Sequence, residues 1–460
     1  MVIRCSFCGV SSEKSQIIYE RKGYSVCSDC LILVREILAE FSKGEVFQGR
    51  GRCSFCGEEH SGERLVFRGK NAKICNECVR QGEKEIKGFD STAAVSSKKS
   101  RGEDGLVNSR VRKAIRDLSP YTGPEIECPI KLDGNESPFT LPPDVLDKVL
   151  AAITKIPINR YPDPGAVGLR RKLSQITGFP LEGIVLGNGS DELIAMLLIT
   201  FSGGSGKVLV PMPTFSMFKL STVALGLEPL SVQLDRYFDI DLGKMLKVLK
   251  YNNPDLTFLA SPNNPTGNSY SEDRIVGIIE NSKGVVVIDE AYTDFCGKSH
   301  LPLIDKYENL VVLRTMSKVG FAGIRLGILF ARNHLVKEIN KVRLPYNINL
   351  YSQRIAEVIL ENLSFVGENI QLVTRERERV FKQLKKIPGI EAFPSDANFI
   401  LMRVIDAEAV HQELINRGII VRNFNSPGRL ENCLRVTIGT PGENDSFIRA
   451  LEEIVSPQFS

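Results

Sequence analysis

Three polar residues and a glycine each lie where an apolar run ends or begins. Lys318 follows "LVVLRTMS", Asp289 ends "GVVVID", Asn264 follows "TFLASPN", and Gly189 joins "IVLGN" to "SDELIAMLLI". Taken singly, each has an ordinary explanation: a solvated lysine, a helix-capping aspartate, a turn-forming asparagine, and a glycine turn lacking the third glycine of a dinucleotide fingerprint. Their shared position is more informative. Open α/β sheets bind ligands at the ends of neighbouring parallel strands. Four such ends would bring an amine, a carboxylate, an amide and a helix start to one place.

That set suits pyridoxal phosphate. Its aldehyde needs a lysine to hold it covalently, here Lys318. Its pyridine nitrogen needs a carboxylate to keep it protonated, here Asp289. Asn264 and Tyr292 suit the ring hydroxyl oxygen. Its phosphate needs a helix N-terminus with hydroxyl and cationic donors. Gly189, Ser190 and Asp191 supply the first, Ser317 and Arg325 the others, and Phe215 in "PMPTFSMF" is placed to stack on the ring.

A second chemistry stands at the front of the chain. Cys5, Cys8, Cys27 and Cys30 recur as Cys53, Cys56, Cys75 and Cys78 at a constant offset of 48, each unit reading C-x2-C-x18-C-x2-C. Two such pairs let four thiolates surround one ion, which is a zinc spacing with every position filled by protein. Redox pairs and an iron–sulfur site use similar spacing and stay open; eight cysteines in register argue against coincidence. After the second pair of the first unit, "CSDCLILVREILAEF" has the period of an apolar-faced helix. The matching "VRQGEKEI" of the second unit is polar.

The elements that must position these residues follow from texture. A chain of 460 residues is expected to form two or three domains. Residues 1–45 and 46–87 hold the two cysteine units, and 88–106, "GFDSTAAVSSKKSRGEDGL", reads as a polar linker. From 107 to 460, apolar runs such as "KVLVPM", "TFLASP", "GVVVIDEA" and "LVVLRTM" alternate with helical patterns. That alternation predicts an α/β fold with a mostly parallel sheet buried on both faces. The expected division is an N-terminal arm (107–160), a large domain (161–345) and a small α/β domain (346–460).

Composition excludes several classes. A net charge of +4 is too small for a nucleic-acid footprint. The first 87 residues carry fifteen Lys/Arg against twelve Asp/Glu, an excess that two four-thiolate zinc sites would cancel. The longest apolar run, Leu193–Phe201, is too short to cross a bilayer. The start, "MVIRCSFCGV", has no signal-peptide core, so a cytoplasmic protein with reduced thiols is expected. Cys128, Cys296 and Cys433 read as small buried hydrophobes. His60 and His300 have no ligand-like spacing.

The motifs "LDGNESPF", "RYPDP", "GNGSDELI", "SPNNPTG", "VIDEAYTDF", "TMSK…GIRLG", "LPYNINLYSQ", "ANFIL" and "CLRVTIGT" resemble those of fold type I, class II-type aminotransferases, most closely the histidinol-phosphate aminotransferases. The resemblance implies a pyridoxal-phosphate enzyme exchanging an amino group between glutamate and a phosphorylated keto substrate. It makes Lys318 the carrier of the proton at the substrate Cα. It sends Tyr161 to the cofactor phosphate of a second subunit, so that a homodimer is the working unit. Arg435 and Asn135 would meet the amino-acid carboxylate, Arg422 and Tyr121 the substrate's own phosphate; an ordinary surface arginine and a packed tyrosine remain the alternatives for that pair. Many relatives space the lysine and arginine by one residue more, and carry Tyr where Phe215 stands. The first cysteine unit resembles the N-terminal zinc-binding domain of the ClpX unfoldase, which implies docking or self-association. No G-x-x-x-x-G-K-[ST] loop is present. Threonine-phosphate decarboxylase, another aminotransferase, and a non-catalytic scaffold carrying zinc modules are the competing expectations.

Overall fold

In a computed structural model of the chain, the described residues are 110–116, 118, 126–425 and 427–455. Ser6, 17–21, 24–27, 51–55, 59–60, 66–68, 73–75 and Cys78 precede them. Two compact units result, Met1–Arg110 and Val111–Ser460. Tyr121, Cys5, Cys8, Cys30, Cys56, the side chain of Cys27, both helices expected after the cysteine pairs and the linker 88–106 lie outside the described residues.

The first unit holds short hairpins. β1 (Ile17–Arg21) pairs with β2 (Tyr24–Cys27), β3 (Gly51–Arg52) with β4 (Glu59–His60), and β5 (Val66–Arg68) with β6 (Lys73–Cys75). The 48-residue sequence offset carries over to the backbone. Tyr19 pairs with Val26 as Phe67 pairs with Ile74, and Glu20 with Ser25 as Arg68 with Lys73.

The second unit is built on seven strands in the order β10-β9-β11-β12-β13-β14-β8. These are β8 (Ile184–Asn188), β9 (Lys207–Met212), β10 (Glu228–Gln233), β11 (Leu256–Ala260), β12 (Val285–Asp289), β13 (Leu310–Thr315) and β14 (Leu326–Ala331). β14 runs antiparallel to both neighbours, and the other pairings are parallel. The four apolar runs read from the sequence are β9, β11, β12 and β13. Successive side chains of a strand face opposite sides, and both sides are packed here. Leu209, Leu259, Val286, Ile288 and Val312 enter one core cluster; Val208, Phe258, Val287 and Val311 enter another.

A smaller sheet has the order β15-β16-β18-β17-β7. β15 (Glu391–Ala392), β16 (Phe399–Arg403), β17 (Ile419–Asn423) and β18 (Cys433–Thr437) come from the C-terminal part, and β7 (Ile130–Leu132) from the arm. The helices Ser364–Leu384, Ala407–Asn416 and Pro441–Val455 bury apolar residues in its core. Helix Leu350–Leu360 packs elsewhere. Its Ala356 and Ile359 join the core of the large sheet, and Ser352 Oγ donates to Ile324 O at 2.7 Å. None of the described helices is long and apolar enough to cross a membrane.

Candidate functional site

The C-terminal ends of β8, β9, β11, β12 and β13 share one edge of the large sheet. Antiparallel β14 begins at that same edge, which delivers Arg325 immediately before its first residue. A cavity of about 270 Å³ opens there, closed on the other side by the loop after β7 and by β17 and β18. Asn135, Ser190, Asp191, Phe215, Asn264, Asp289, Tyr292, Ser317, Lys318, Arg325, Arg422 and Arg435 all line it.

Lys318 sits half-buried in a kinked turn, Ser317–Phe321, that follows β13; the kink falls at Val319 and Gly320, where Gly320 takes φ +117°. Its Nζ lies 5.7 Å from the Tyr292 ring centre. Asp289, the last residue of β12, is 4% exposed and accepts from the Ala291 N–H at 3.0 Å. Burial pushes its carboxyl up to about 7, with the Asp191 charge adding to the rise and the Ala291 hydrogen bond and Lys318 opposing it. A carboxylate held at that depth calls for a cationic N–H from a ligand, as a protonated pyridine provides.

Gly189 takes φ +79°, and a Cβ there would run into the Arg325 guanidinium. A side chain would therefore push Arg325 away from the start of helix Ser190–Phe201. Arg325 ion-pairs with Asp191 at 3.0 Å on the rim. The turns Ser317–Phe321 and Ala322–Ile324 cover the shorter lysine–arginine spacing, and Arg325, at φ +50°, still reaches the cavity. Helix N–H groups, the Ser317 hydroxyl and a guanidinium thus converge where a phosphate would be held. Phe215 stands before helix Ser216–Ala224, edge-on to Phe218 at 5.6 Å.

On the small-sheet side, Arg422 of β17 and Arg435 of β18 are register partners. Arg435 is 6% exposed. It donates to Asn264 Oδ1 and to Asp133 O, each at 2.6 Å, and lies over the Phe399 and Phe424 rings. Asn135, at φ +53°, ties the two sheets together: its N–H donates to Thr437 Oγ1 at 3.0 Å and its Nδ2 to Tyr292 Oη at 2.8 Å. Tyr161 lies apart from this cavity. It is 79% exposed and stacks on Tyr346 at 4.6 Å.

Sequence reasoning missed the Glu290 cluster. The Glu290 side chain is fully buried and accepts from Arg314 Nε at 2.9 Å, Ser299 Oγ at 3.0 Å and the His300 backbone N–H; His300 Nδ1 stands at 3.1 Å. Burial pushes its carboxyl up, but the His300 and Arg314 contacts outweigh that and leave it below the ordinary value. The pair clamps β12 to β13, the strands that carry Asp289 and lead to Lys318. The acidic doublet in "VVVIDEAY", too polar for a strand end with one role, was the signal. Thr214, Ser216, Thr315 and Phe424 also line the cavity without having been singled out.

In the first unit, the sulfurs of Cys53, Cys75 and Cys78 lie within 4.8 Å of one another, all buried. Cys53 Sγ and Cys78 Sγ are 3.8 Å apart. Four sulfurs at about 2.3 Å around a tetrahedral zinc also stand roughly 3.8 Å apart, so the donor set fits that ion. The Cys75 N–H donates to Cys53 Sγ at 3.3 Å.

A family model described as "Aminotransferase class I and II" matches residues 128–451. A second, "ClpX C4-type zinc finger", matches 51–88, the second cysteine unit. The histidinol-phosphate aminotransferase of Aquifex aeolicus is 43% identical over 348 residues, 75% of this chain and 98% of its own. Histidinol-phosphate aminotransferase 2 of Nitrosococcus oceani is 42% identical over 346 residues, 74% of this chain and 96% of its own. Among solved structures, histidinol-phosphate aminotransferase from Sinorhizobium meliloti, in complex with pyridoxal-5'-phosphate, matches with a TM-score of 0.70. At 24% identity, covering 76% of this chain and 98% of that one, it shows the shared fold.

Proposed function

The chain belongs to the class I and II aminotransferase family, and on that premise we propose that it transfers an amino group between histidinol phosphate and 2-oxoglutarate, with pyridoxal phosphate as cofactor. The carrying observation is one cavity that combines Lys318, the buried Asp289 and the register pair Arg422–Arg435. When bound, pyridoxal phosphate supplies an electron-withdrawing ring that eases loss of the substrate's Cα proton. The Lys318 amine takes up and returns that proton. Asp289 would keep the proton on the ring nitrogen, and Asn264 and Tyr292 would meet the ring hydroxyl oxygen. The N–H groups at the start of helix Ser190–Phe201, the Ser317 hydroxyl and Arg325 would hold the cofactor phosphate, and Phe215 would pack on the ring.

Two anions must use one site in turn, the phosphate monoester and the dicarboxylate. Two neighbouring guanidiniums suit both, because each can bind either anion in a forked geometry. Arg435, with Asn135 beside it, takes the carboxylate, and Arg422, with Tyr121, the phosphate. Tyr161 reaches the cofactor phosphate of a second subunit in a homodimer. Its exposure, with that of Ile158 (77%) and Leu344 (67%), supports an apolar contact with another copy.

Cys53, Cys56, Cys75 and Cys78 hold one structural zinc ion, and Cys5, Cys8, Cys27 and Cys30 a second. The equal pairing in the two hairpins supports equal roles. The modules dock a protein partner or self-associate, and the aminotransferase region catalyses without them. A complete set of cofactor residues argues against a scaffold without activity. The test is amino transfer from histidinol phosphate, threonine phosphate and other amino donors to 2-oxoglutarate. A higher kcat/KM for any other donor, or decarboxylation of threonine phosphate, sinks the substrate assignment.

A further inference from the structure

Arg422 is held by a ring rather than by an acid. Among the described residues it meets no carboxylate and no hydrogen-bond acceptor; its guanidinium lies over the Phe424 ring, with Cζ 6.0 Å from the ring centre. The same ring stands 5.3 Å from Arg435 Cζ. All three side chains line the cavity. The strands explain the grouping. Arg422 and Phe424 are two residues apart on β17 and so share a face, and Arg435 is the register partner of Arg422 on β18. The Phe424 N–H donates to Cys433 O at 3.0 Å, which carries the ladder one residue past the Asn423–Leu434 pair. Phe424 therefore stands diagonal to Arg435, a separation that an aromatic side chain can bridge.

We propose that Phe424 is a positioning residue for substrate binding: its ring holds Arg422 and Arg435 side by side and leaves their N–H groups to the incoming anion. This rests on the function proposed above. Two like charges opposite one another on neighbouring strands repel. A carboxylate between them would relieve the repulsion, but it would occupy the donors that a substrate needs and would have to be displaced. The negative face of an aromatic ring attracts a cation without using those donors. Phe424 acts through the two arginines, so it serves the phosphate monoester and the dicarboxylate alike. It stands apart from Lys318 and Asp289, which belong to the large-sheet side, so it bears on binding and not on the proton step.

Fluorination of the Phe424 ring in the full-length holoenzyme tests this, because fluorine drains charge from the ring face and hardly alters its shape. Replacing Phe424 by mono-, di- and trifluorophenylalanine should raise KM for histidinol phosphate and for 2-oxoglutarate stepwise, by about three- to tenfold across the series, with kcat within about twofold. The Kd of glutarate, an unreactive dicarboxylate, should rise in the same order. Phe424→Leu should weaken both substrates at least as much, and Phe424→Tyr should restore them; the fluorinated series covers the case of a poorly folded Leu variant. KM and Kd unmoved along the series would show that the ring serves packing alone, and would overturn the inference while leaving the proposed function standing. A fall in kcat with KM unmoved overturns it too. Refusal of histidinol phosphate by the wild type overturns the proposed function, and the glutarate series then still decides on the ring.

Discussion

Asp289 makes the cofactor-free protein less stable than it need be, and the pH dependence of that effect can be worked out. Its carboxyl stands at about 7 against an ordinary 3.8, chiefly because burial disfavours the anion. A carboxyl raised in the folded state lends stability that is fully present below the unfolded value and is lost as pH climbs to the folded one. The window is therefore 3.8 to about 7, with a constant deficit above it. The full loss is about 4 kcal/mol at 1.36 kcal/mol per pKa unit, and about 3 kcal/mol of it falls between pH 5 and pH 8. Asp289→Asn removes the titration while keeping the shape. In cofactor-free protein, the Asn variant should gain stability over wild type as pH rises from 5 to 8, by several degrees in Tm. With pyridoxal phosphate present the order should reverse, because the variant gives the ring nitrogen no anion; turnover should collapse. Chemical denaturation of both apo proteins across that pH range is the assay. A stability difference that is the same at pH 5 and pH 8 would refute the argument from burial.

Lys318→Ala should abolish the visible absorption of the covalently held cofactor and slow turnover by about 10²–10⁴-fold, as loss of a positioned acid–base group does; near wild-type rates would remove it from the chemistry. Arg422→Ala should weaken histidinol phosphate by about 2–5 kcal/mol relative to unphosphorylated histidinol, read as kcat/KM for each; equal losses would show that it does not bind the phosphate. Metal analysis should find two zinc ions per chain, and replacing Cys53, Cys75 and Cys78 by Ser should remove one of them; retention of both would contradict the assignment of ligands. Deleting residues 1–100 should leave kcat and KM within about twofold, since every residue lining the cavity lies in the second unit. A collapse of activity in that folded protein would place the modules in the site.

The strands were legible because strands buried on both faces must be apolar throughout, and β9, β11, β12 and β13 are such runs. Their polar end residues were legible for the same reason: a charge closing an unbroken apolar run needs a cause. What escaped notice depended on pairing across space. Glu290 and Arg314 stand 24 residues apart, and only the parallel register of Asp289 with Leu313 brings them together. The packing of Leu350–Leu360 was equally hidden, since an amphipathic helix declares that it has an apolar face but not which sheet receives it. Asp133 lies inside a motif read from sequence, yet its type and place gave no hint that its side-chain oxygen Oδ1 would be sealed without a donor. That fact arises from the arm strand β7 pairing with β17, some 290 residues downstream in the chain, while Arg435 of the adjacent β18 grips its carbonyl. Local patterns revealed the polar residues that close strands at the cavity, because a polar group ending an apolar run stands out. Arg422 and Arg435 enter the cavity from the sheet that the arm and the C-terminal strands build together, and only that long-range pairing brings them there.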